Sequence, residues 1–287
     1  VDVNSQINIE TLVITQHLDS EDHKDITLKV KDDHTGELIS LDNSRFNRDI
    51  GTLGLWKPLS FNEQYGAGLY LLSPYNPKLT PVIFIHGAGG NPREFSEMIA
   101  ALDTKRYQPF VLHYPSGVRL DIISEYLLSS INKLQTQYQF LQFALVSHSM
   151  GGLVMRSLVR KYQMNKQEAK IVFAISINSP MMGMSSAAQG IKMSPIVVPY
   201  WYDVASDSPF IRQLLDWPWP DEIPYHLIFS YQPGKSSDGV VPLESQIPIS
   251  LQNEAAKLYG FKAGHALVLT EPEFITTFTR IVNASSH

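Results

Sequence analysis

The sequence has no cysteine, so disulfide bridges and thiolate metal sites are excluded. It has no excess of basic residues either, since 23 lysines and arginines stand against 28 aspartates and glutamates. The net charge of -5 argues against a surface that binds nucleic acid, and we expect no nucleic-acid partner. It also lacks an apolar run of about 18 residues, the length that a membrane-spanning helix needs.

The sequence does contain enough apolar residues for one large core. Of the 287 residues 44% are hydrophobic, and we predict a single domain over the whole chain. We interpret residues 1–55 as an N-terminal strand extension. The segment 25–31 alternates apolar and polar residues as a half-buried strand does, and the segment 37–41 is predicted to be its return strand. The segment 51–58 is predicted to be a loop that packs Trp56 on the core.

Strand and helix patterns alternate along the rest of the chain. This alternation predicts the α/β class, with a mostly parallel central sheet and helices on both faces. Ligands of such sheets bind beyond the carboxyl ends of the strands, so we expect residues 86–87, 114–115, 149 and 178–180 to meet on one face. The predicted strands are 81–86, 110–114, 140–146, 171–177, 223–231 and 258–261, and the predicted helices are 91–102, 120–134, 153–162 and 272–282.

The segment Ser147-His-Ser149-Met-Gly151-Gly joins the apolar strand 143–146 to a helix-forming run that starts at Leu153. A serine placed between a strand and a helix and flanked by small residues is the pattern of a nucleophile elbow. The elbow is a strained turn that exposes the serine hydroxyl above the sheet. Gly151 is small enough for it, and Ser147 stands where a glycine is usual. Alternatively, Ser149 only caps the helix.

A glycine-rich loop, His86-Gly-Ala88-Gly-Gly90, follows the apolar strand 81–86. Loops between a strand and a helix can hold phosphate, but this one lacks both the G-x-G-x-x-G spacing and the lysine of a P-loop. The other use of such a loop is an oxyanion hole, in which one of its N–H groups acts with the N–H that follows the nucleophile. This interpretation assigns Ala88 and Met150 as the backbone donors. The alternative is a plain glycine turn.

Asp238, in an Asp-Gly turn, and His265, after the last predicted strand, complete the candidate catalytic set. A histidine that titrates near neutral pH can take the proton of Ser149, and an aspartate can orient the imidazole. Alone, Asp238 would be a turn residue and His265 a structural histidine. The chain order serine, aspartate and then histidine supports a shared catalytic role more strongly than any of the three residues does alone. The rival acids between the elbow and His265 are Asp203, Asp207, Asp216 and Asp221.

These motifs resemble those of α/β-hydrolases of the bacterial lipase and esterase branch, and those of hydrolases similar to GPI inositol-deacylases. The resemblance rests on the glycine-rich loop, the elbow, the Asp238 turn, Gly264-His265 and the cap-like segment 208–214. It extends from about residue 69 to the C-terminus. It implies the α/β-hydrolase fold and ester hydrolysis through an acyl-enzyme, without a cofactor or a metal. His148, beside the nucleophile, is then expected to pack rather than to react.

Two alternatives keep this fold but change the function. An acyltransferase would share the acyl-enzyme and differ only in the acceptor, whereas a catalytically silent binding protein would not react. Peptide hydrolysis is also compatible with the fold. Because the chain begins at Val1 rather than at methionine, we expect that a leader is missing and that the protein is periplasmic, secreted or membrane-anchored in a bacterium.

The segment 181–220 interrupts the alternation and is rich in methionine, tryptophan, proline and serine. Its position between two core strands predicts a cap or lid that moves over the site. Methionine adapts to varied apolar shapes, and tryptophan suits boundaries between oil and water. We therefore expect a small-molecule or lipid ester substrate, contact with a lipid interface, and a monomer. The candidate substrate-binding residues are Met181, Met182, Trp201 and Phe210.

Overall fold

The computed structural model describes residues 13–16, 26–29, 32–194 and 197–284. Its strands are β1 (Val13–Gln16), β2 (Ile26–Lys29), β3 (Gly68–Leu71), β4 (Thr80–Ile85), β5 (Tyr107–His113), β6 (Gln142–His148), β7 (Lys170–Ile177), β8 (Tyr225–Ser230) and β9 (Lys257–Phe261). The last seven form one sheet in the order β3-β5-β4-β6-β7-β8-β9. β3 is antiparallel to β5, and the other neighbours are parallel. The predicted mostly parallel sheet is therefore confirmed, while β1 and β2 pair antiparallel with each other.

Helices cover the connections between these strands. They are α1 (Arg48–Trp56), α2 (Pro58–Gln64), α3 (Ser96–Ala100), α4 (Leu120–Tyr138), α5 (Gly151–Met164), α6 (Ser185–Met193), α7 (Trp201–Val204), α8 (Pro209–Asp216), α9 (Leu243–Gln246), α10 (Ile249–Glu254) and α11 (Pro272–Ala284). The predicted helix 91–102 is shorter than expected. It consists of a 3₁₀ turn at Pro92–Phe95 that continues directly into α3. None of the described helices combines a membrane-spanning length with sufficient hydrophobicity.

The central strands are buried on both faces of the sheet. In β4, Ile83 and Ile85 pack in a core that includes side chains of α4 and α5, whereas Val82 and Phe84 pack in a second core with α3 and α11. Continuous apolar strands are what a parallel sheet with two covered faces requires. Full burial of each such side chain stabilises the fold by about 1.5–3 kcal/mol. The two cores together hold the carboxyl ends of β4, β6 and β7 in fixed positions.

The N-terminal extension contains less strand than the sequence predicts. Of the segment 25–31, residues Ile26–Lys29 form β2 and the remainder lies outside the described residues. The segment 37–41 does not return along β2 but runs beside the edge strand β3, with a bridge between Leu38 and Leu71. Leu71 bonds this segment with both its backbone N–H and its carbonyl. The unpaired edge of β3 therefore holds the segment.

Asp33 fastens the same extension to α4. Its carboxylate accepts hydrogen bonds from Lys133 Nζ at 2.7 Å, from the Tyr126 hydroxyl at 2.8 Å and from the Thr35 N–H at 3.0 Å. Burial alone would raise the pKa of Asp33, but these hydrogen bonds outweigh it and the net shift is downward. The extension is thus attached by a charged group as well as by the edge of the sheet.

The segment 51–58, predicted as a loop, forms the end of α1 and the start of α2. Trp56 does not pack on the core, because 56% of it is exposed. Glycines lower helix propensity, which is why the sequence favoured a loop. Here Gly51 serves close packing instead, since a Cβ on it would lie 2.4 Å from the Gly90 carbonyl oxygen. Its lack of a side chain lets α1 approach the glycine-rich loop.

The insertion 181–220 lies between β7 and β8 and contains α6, α7 and α8. Asp203 in α7 ties it to the core. Its carboxylate accepts hydrogen bonds from Arg119 Nε at 2.8 Å and from the Leu120 N–H at 2.6 Å, one of the free N–H groups at the start of α4. Burial raises the pKa of Asp203, and Arg119 opposes that rise. These contacts hold α7 against the loop before α4.

Arg156 in α5 ties the end of the insertion to the core. Its guanidinium is buried and donates to the carbonyls of Leu214 and Trp217, each at 2.9 Å, and pairs with Glu254 at 2.8 Å. The rings of Trp217 and Trp219 lie 5.7 and 5.6 Å from the guanidinium carbon. A buried cation is stable only when its hydrogen bonds are satisfied, so this site fixes the chain that leaves α8.

Candidate active site

Ser149 lies in the tight turn between β6, which ends at His148, and α5, which begins at Gly151. Its φ is +55°, a left-handed conformation that costs a non-glycine residue roughly 1–3 kcal/mol. The turn is held by a hydrogen bond from the Ser149 N–H to the Ile177 carbonyl at 2.8 Å. The predicted succession of strand, sharp turn and helix is thus found around this serine.

Two glycines allow the backbone to close around Ser149. A Cβ on Gly87 would lie 2.7 Å from Ser149 Cβ, and one on Gly151 would lie 2.4 Å from a backbone carbonyl oxygen of β4. Both distances are too short for a real side chain. Ser147 fits where a glycine is usual, because its buried hydroxyl donates to the Ile175 carbonyl at 3.1 Å.

Ser149, His265 and Asp238 form one chain of hydrogen bonds. Ser149 Oγ lies 2.9 Å from His265 Nε2, and His265 Nδ1 lies 2.6 Å from Asp238 Oδ2. A carboxylate only accepts, so Nδ1 carries the proton and Nε2 is free to accept from the serine hydroxyl. The N–H groups of Val240 and Val241 donate to Asp238 Oδ1 at 2.8 and 2.7 Å. They keep the carboxylate turned toward the imidazole.

The surroundings of His265 favour its neutral form. Burial lowers the pKa of His265 below its usual value of 6.5. The hydrogen bond with Asp238 opposes this shift, the charge of His148 adds to it, and the charge of Glu94 opposes it. At neutral pH the imidazole is therefore neutral, which is the form in which Nε2 can accept a proton.

The two predicted oxyanion donors have free N–H groups. In the described part of the chain, neither the Ala88 N–H nor the Met150 N–H donates to an acceptor. Met150 stands at the N-terminal cap of α5, where the helix dipole favours negative charge. The Gly89 N–H is occupied by Ser116 Oγ at 2.8 Å, which fixes the loop beside Ala88. The loop therefore presents the Ala88 N–H without a competing acceptor from the described residues.

The buried side chain of His86 supports the glycine-rich loop. Its Nδ1 donates to the Gly87 carbonyl at 2.9 Å, and its ring stacks on the Tyr114 ring at 4.2 Å. The Tyr114 hydroxyl donates back to the His86 carbonyl at 2.5 Å. Burial lowers the pKa of His86, so a neutral ring holds the loop.

The rival acids do not contact His265. Asp203, in α7, is bound to Arg119, the residue that precedes α4. The other three, Asp207, Asp216 and Asp221, are exposed. Residues 32–194 and 197–284 contain no group of three histidine, aspartate or glutamate side chains that could hold a metal ion. Of the acids that the sequence offered, the structure brings Asp238 to the histidine.

No sequence pattern predicted the contacts that surround His265. Asn178 was expected near the site only because it follows a strand, yet its Nδ2 donates to the His265 carbonyl at 2.9 Å. His148, expected to pack, donates from Nε2 to the same carbonyl at 3.0 Å. Glu94 Oε2 lies 3.9 Å from His148 Nδ1, beyond hydrogen-bond distance. Burial alone would raise the pKa of Glu94, but the neighbouring histidines His148 and His86 make the net shift downward. No sequence motif marks Glu94.

The four candidate substrate-binding residues occupy different environments. Met181 is buried and packs on the first turn of α5, directly beside the elbow. Met182 is 45% exposed. Trp201 is half-buried with its ring against α6, and Phe210 is buried in the core on the α4 and α5 side. Their roles in substrate binding stay predictions.

Known proteins share this fold. Residues 80–196 match the family described as "alpha/beta hydrolase fold". The mature lipase BlEst2 of Bacillus licheniformis is 14% identical with a TM-score of 0.56, over 74% of this chain and 95% of that one. The product of gene lin2722 of Listeria innocua is 19% identical with a TM-score of 0.54, over 69% and 92% of the two chains. Lipase B of Aspergillus fumigatus is 19% identical with a TM-score of 0.53, over 76% and 56%. No curated protein sequence matches the chain.

At these identities the solved structures show a common fold and nothing beyond it. The family match covers the glycine-rich loop, the elbow and the helix that follows. Together with the sheet order and the strand-to-helix turn at Ser149, it confirms the resemblance seen in the sequence. The chain therefore has the α/β-hydrolase fold.

Proposed function

We propose that the protein is a serine carboxylester hydrolase that forms an acyl-enzyme on Ser149. The observation that carries this proposal is the unbroken chain of hydrogen bonds from Ser149 Oγ through His265 to Asp238. A serine hydroxyl is a poor nucleophile until an adjacent base takes its proton. Similar solved structures that are lipases support ester chemistry over other uses of the fold.

The proposed reaction has two halves. In the first, Ser149 Oγ bonds to the ester carbonyl carbon while His265 Nε2 takes the hydroxyl proton. The N–H groups of Ala88 and Met150 stabilise the negative charge on the carbonyl oxygen. The imidazolium, stabilised by Asp238, then protonates the departing alkoxide oxygen as the ester C–O bond breaks. In the second half, water loses a proton to His265 Nε2 and attacks the acyl carbon. The imidazolium then returns this proton to Ser149 Oγ as the bond between Oγ and the acyl carbon breaks, and the carboxylic acid is released.

The proposed substrate is an apolar, lipid-like ester. Met181 lies beside the elbow and supplies an adaptable apolar wall. Val240 and Leu267 each stand two residues after a proposed catalytic residue and are 55% and 66% exposed, and Met182 is exposed as well. Exposed apolar side chains close to a site favour contact with a lipid surface. The insertion between β7 and β8 is the proposed lid.

The proposal is tested by product analysis with the purified protein. A panel of p-nitrophenyl esters and monoacylglycerols is supplied with and without an alcohol acceptor, and Ser149→Ala is the control. Release of free carboxylic acid by the wild type, and none by the variant, is the expected result. A new ester in place of the acid would indicate an acyltransferase. No turnover of any ester would contradict the proposal and favour a silent binding protein.

A further inference from the structure

Side chains from two core strands hold the backbone of His265. Its carbonyl oxygen accepts hydrogen bonds from His148 Nε2 at 3.0 Å and from Asn178 Nδ2 at 2.9 Å. A carbonyl oxygen has two lone pairs, and both are engaged here. Because this oxygen can only accept, His148 carries a proton on Nε2 and Asn178 directs its amide nitrogen, not its oxygen, toward His265.

The two donors lie on the rigid side of the site, and His265 does not. His265 is in the loop between β9 and the 3₁₀ turn that begins at Leu267, and loops move more than the core. His148 is the last residue of β6 and directly precedes Ser149, while Asn178 directly follows β7. Both hydrogen bonds therefore connect the loop of the proposed base to the strands that position the proposed nucleophile.

Asn178 is strained and buried. Its φ is +50°, a left-handed conformation that strains a non-glycine residue, and its side chain is fully buried. Its Oδ1 has no hydrogen-bond partner in the described part of the chain. The bonds that offset these costs are those from Nδ2 to Ser230 Oγ at 2.7 Å and to the His265 carbonyl. The amide nitrogen is thus the functional end of this side chain.

His148 makes its hydrogen bond through Nε2. Its ring stands 4.9 Å from the His265 ring, so it also packs there. Its Nδ1 is buried and, within residues 32–194 and 197–284, has no hydrogen-bond partner. Phenylalanine at this position would keep most of the packing and lose the bond. Glutamine would place an amide nitrogen at about the reach of Nε2, so the two replacements separate packing from hydrogen bonding.

We propose that His148 and Asn178 are positioning residues that clamp the His265 carbonyl and thereby fix the 2.9 Å separation between His265 Nε2 and Ser149 Oγ. This inference rests on the proposed ester hydrolysis, in which that separation governs proton transfer. Misplacement of a catalytic group by about 1 Å can lower a rate roughly 10²-fold. Loss of either donor should therefore reduce kcat more than it changes KM.

Four single substitutions test the clamp. His148→Phe and Asn178→Gly each remove one donor, and glycine adopts the left-handed backbone without strain. The matched controls are His148→Gln, which restores a donor, and Ser230→Ala, which removes the other partner of Asn178. Each protein is measured for kcat, KM and Tm. The proton between His265 and Asp238 is also followed, without substrate, as a low-field NMR signal.

His148→Phe and Asn178→Gly should each lower kcat at least about tenfold, change KM less than about threefold, and shift or broaden the low-field signal. The two controls should keep most of the wild-type kcat and signal. Wild-type kcat and signal in folded His148→Phe and Asn178→Gly would overturn the proposal, as would a His148→Gln protein as slow as His148→Phe. If Asn178→Gly does not fold, the comparison of His148→Phe with His148→Gln tests the proposal by itself. If the wild type hydrolyses no ester, the proposed function fails, and the NMR signal still decides the clamp.

Discussion

Asp238 holds His265 at two points. Its Oδ2 lies 2.6 Å from the Nδ1 of the imidazole, and its backbone carbonyl accepts the His265 N–H at 3.0 Å. Gln232 Nε2 donates to that same carbonyl at 3.1 Å. The side chain of Asp238 thus orients the ring, while its backbone anchors the loop that carries the ring.

Asp238→Asn should therefore disturb the orientation of the His265 imidazole but keep the backbone hydrogen bond that anchors its loop. An asparagine that donates to Nδ1 enforces the wrong imidazole tautomer, and in a serine protease this change lowered turnover about 10⁴-fold. We expect a loss of that order in kcat with a Tm close to wild type. Asp207→Asn is the control, because Asp207 is exposed and asparagine tolerates its φ of +63°. Equal losses at both positions would show that the acid is misassigned.

The acid limb of the pH dependence of kcat/KM should report the pKa of His265. Burial lowers this pKa, the charge of His148 adds to the lowering, and Asp238 and Glu94 oppose it. His148→Gln removes the contribution of His148 to this lowering, so the pKa of His265 should rise. The acid limb should then move to higher pH. A limb that stays in place or moves to lower pH would contradict this electrostatic coupling.

Gly87→Ala should damage catalysis through the shape of the site. A Cβ there would lie 2.7 Å from Ser149 Cβ and 3.2 Å from Ser149 Oγ, so the serine or the loop must move. A displacement of about 1 Å is expected to lower kcat/KM roughly 10²-fold. The control is Gly264→Ala, where the nearest atom to an added Cβ is 3.6 Å away and the φ is ordinary. Similar kcat/KM values for the two variants would refute the close-approach argument.

Acyl-chain preference should reveal the role of the insertion. Each additional buried methylene contributes about 0.8 kcal/mol, so kcat/KM for p-nitrophenyl esters should rise about fourfold per methylene from acetate until the pocket is full. Deletion of residues 187–198 removes most of α6 but leaves the Asp203 and Arg156 attachments. It should flatten the preference and retain hydrolysis. A steady fall in kcat/KM from acetate onward would rule out an acyl-binding role for the insertion.

The parts of the fold that depend on local pattern were predictable. Continuous apolar runs indicated strands buried on both faces, and the serine between small residues indicated a turn at the carboxyl end of β6. The proximity of Asp238 and His265 followed from the order of the motifs and the rule that parallel strands end on one face. No single pattern placed these residues together, but their combination did.

Other parts depend on contacts between distant segments, which a sequence pattern does not encode. Gly51 belongs to a helix because Gly90 packs against it, so its low helix propensity misled the loop prediction. The segment 37–41 lies on β3 because that edge strand has free hydrogen-bonding groups. The clamp on His265 was missed for the same reason. His148 and Asn178 act through the carbonyl of a residue on a remote loop, and neither residue type signals that contact.

Identification of the residue that a fluorophosphonate modifies tests the central claim, that Ser149 is the nucleophile, most directly. The purified protein is treated with the probe, and the modified peptide is sequenced by mass spectrometry. One adduct per chain on Ser149 is expected, with none in Ser149→Ala and slower labelling in Asp238→Asn, because the hydroxyl reacts only when His265 takes its proton. No adduct in the wild type, or an adduct on another serine such as Ser147 or Ser179, would contradict the claim.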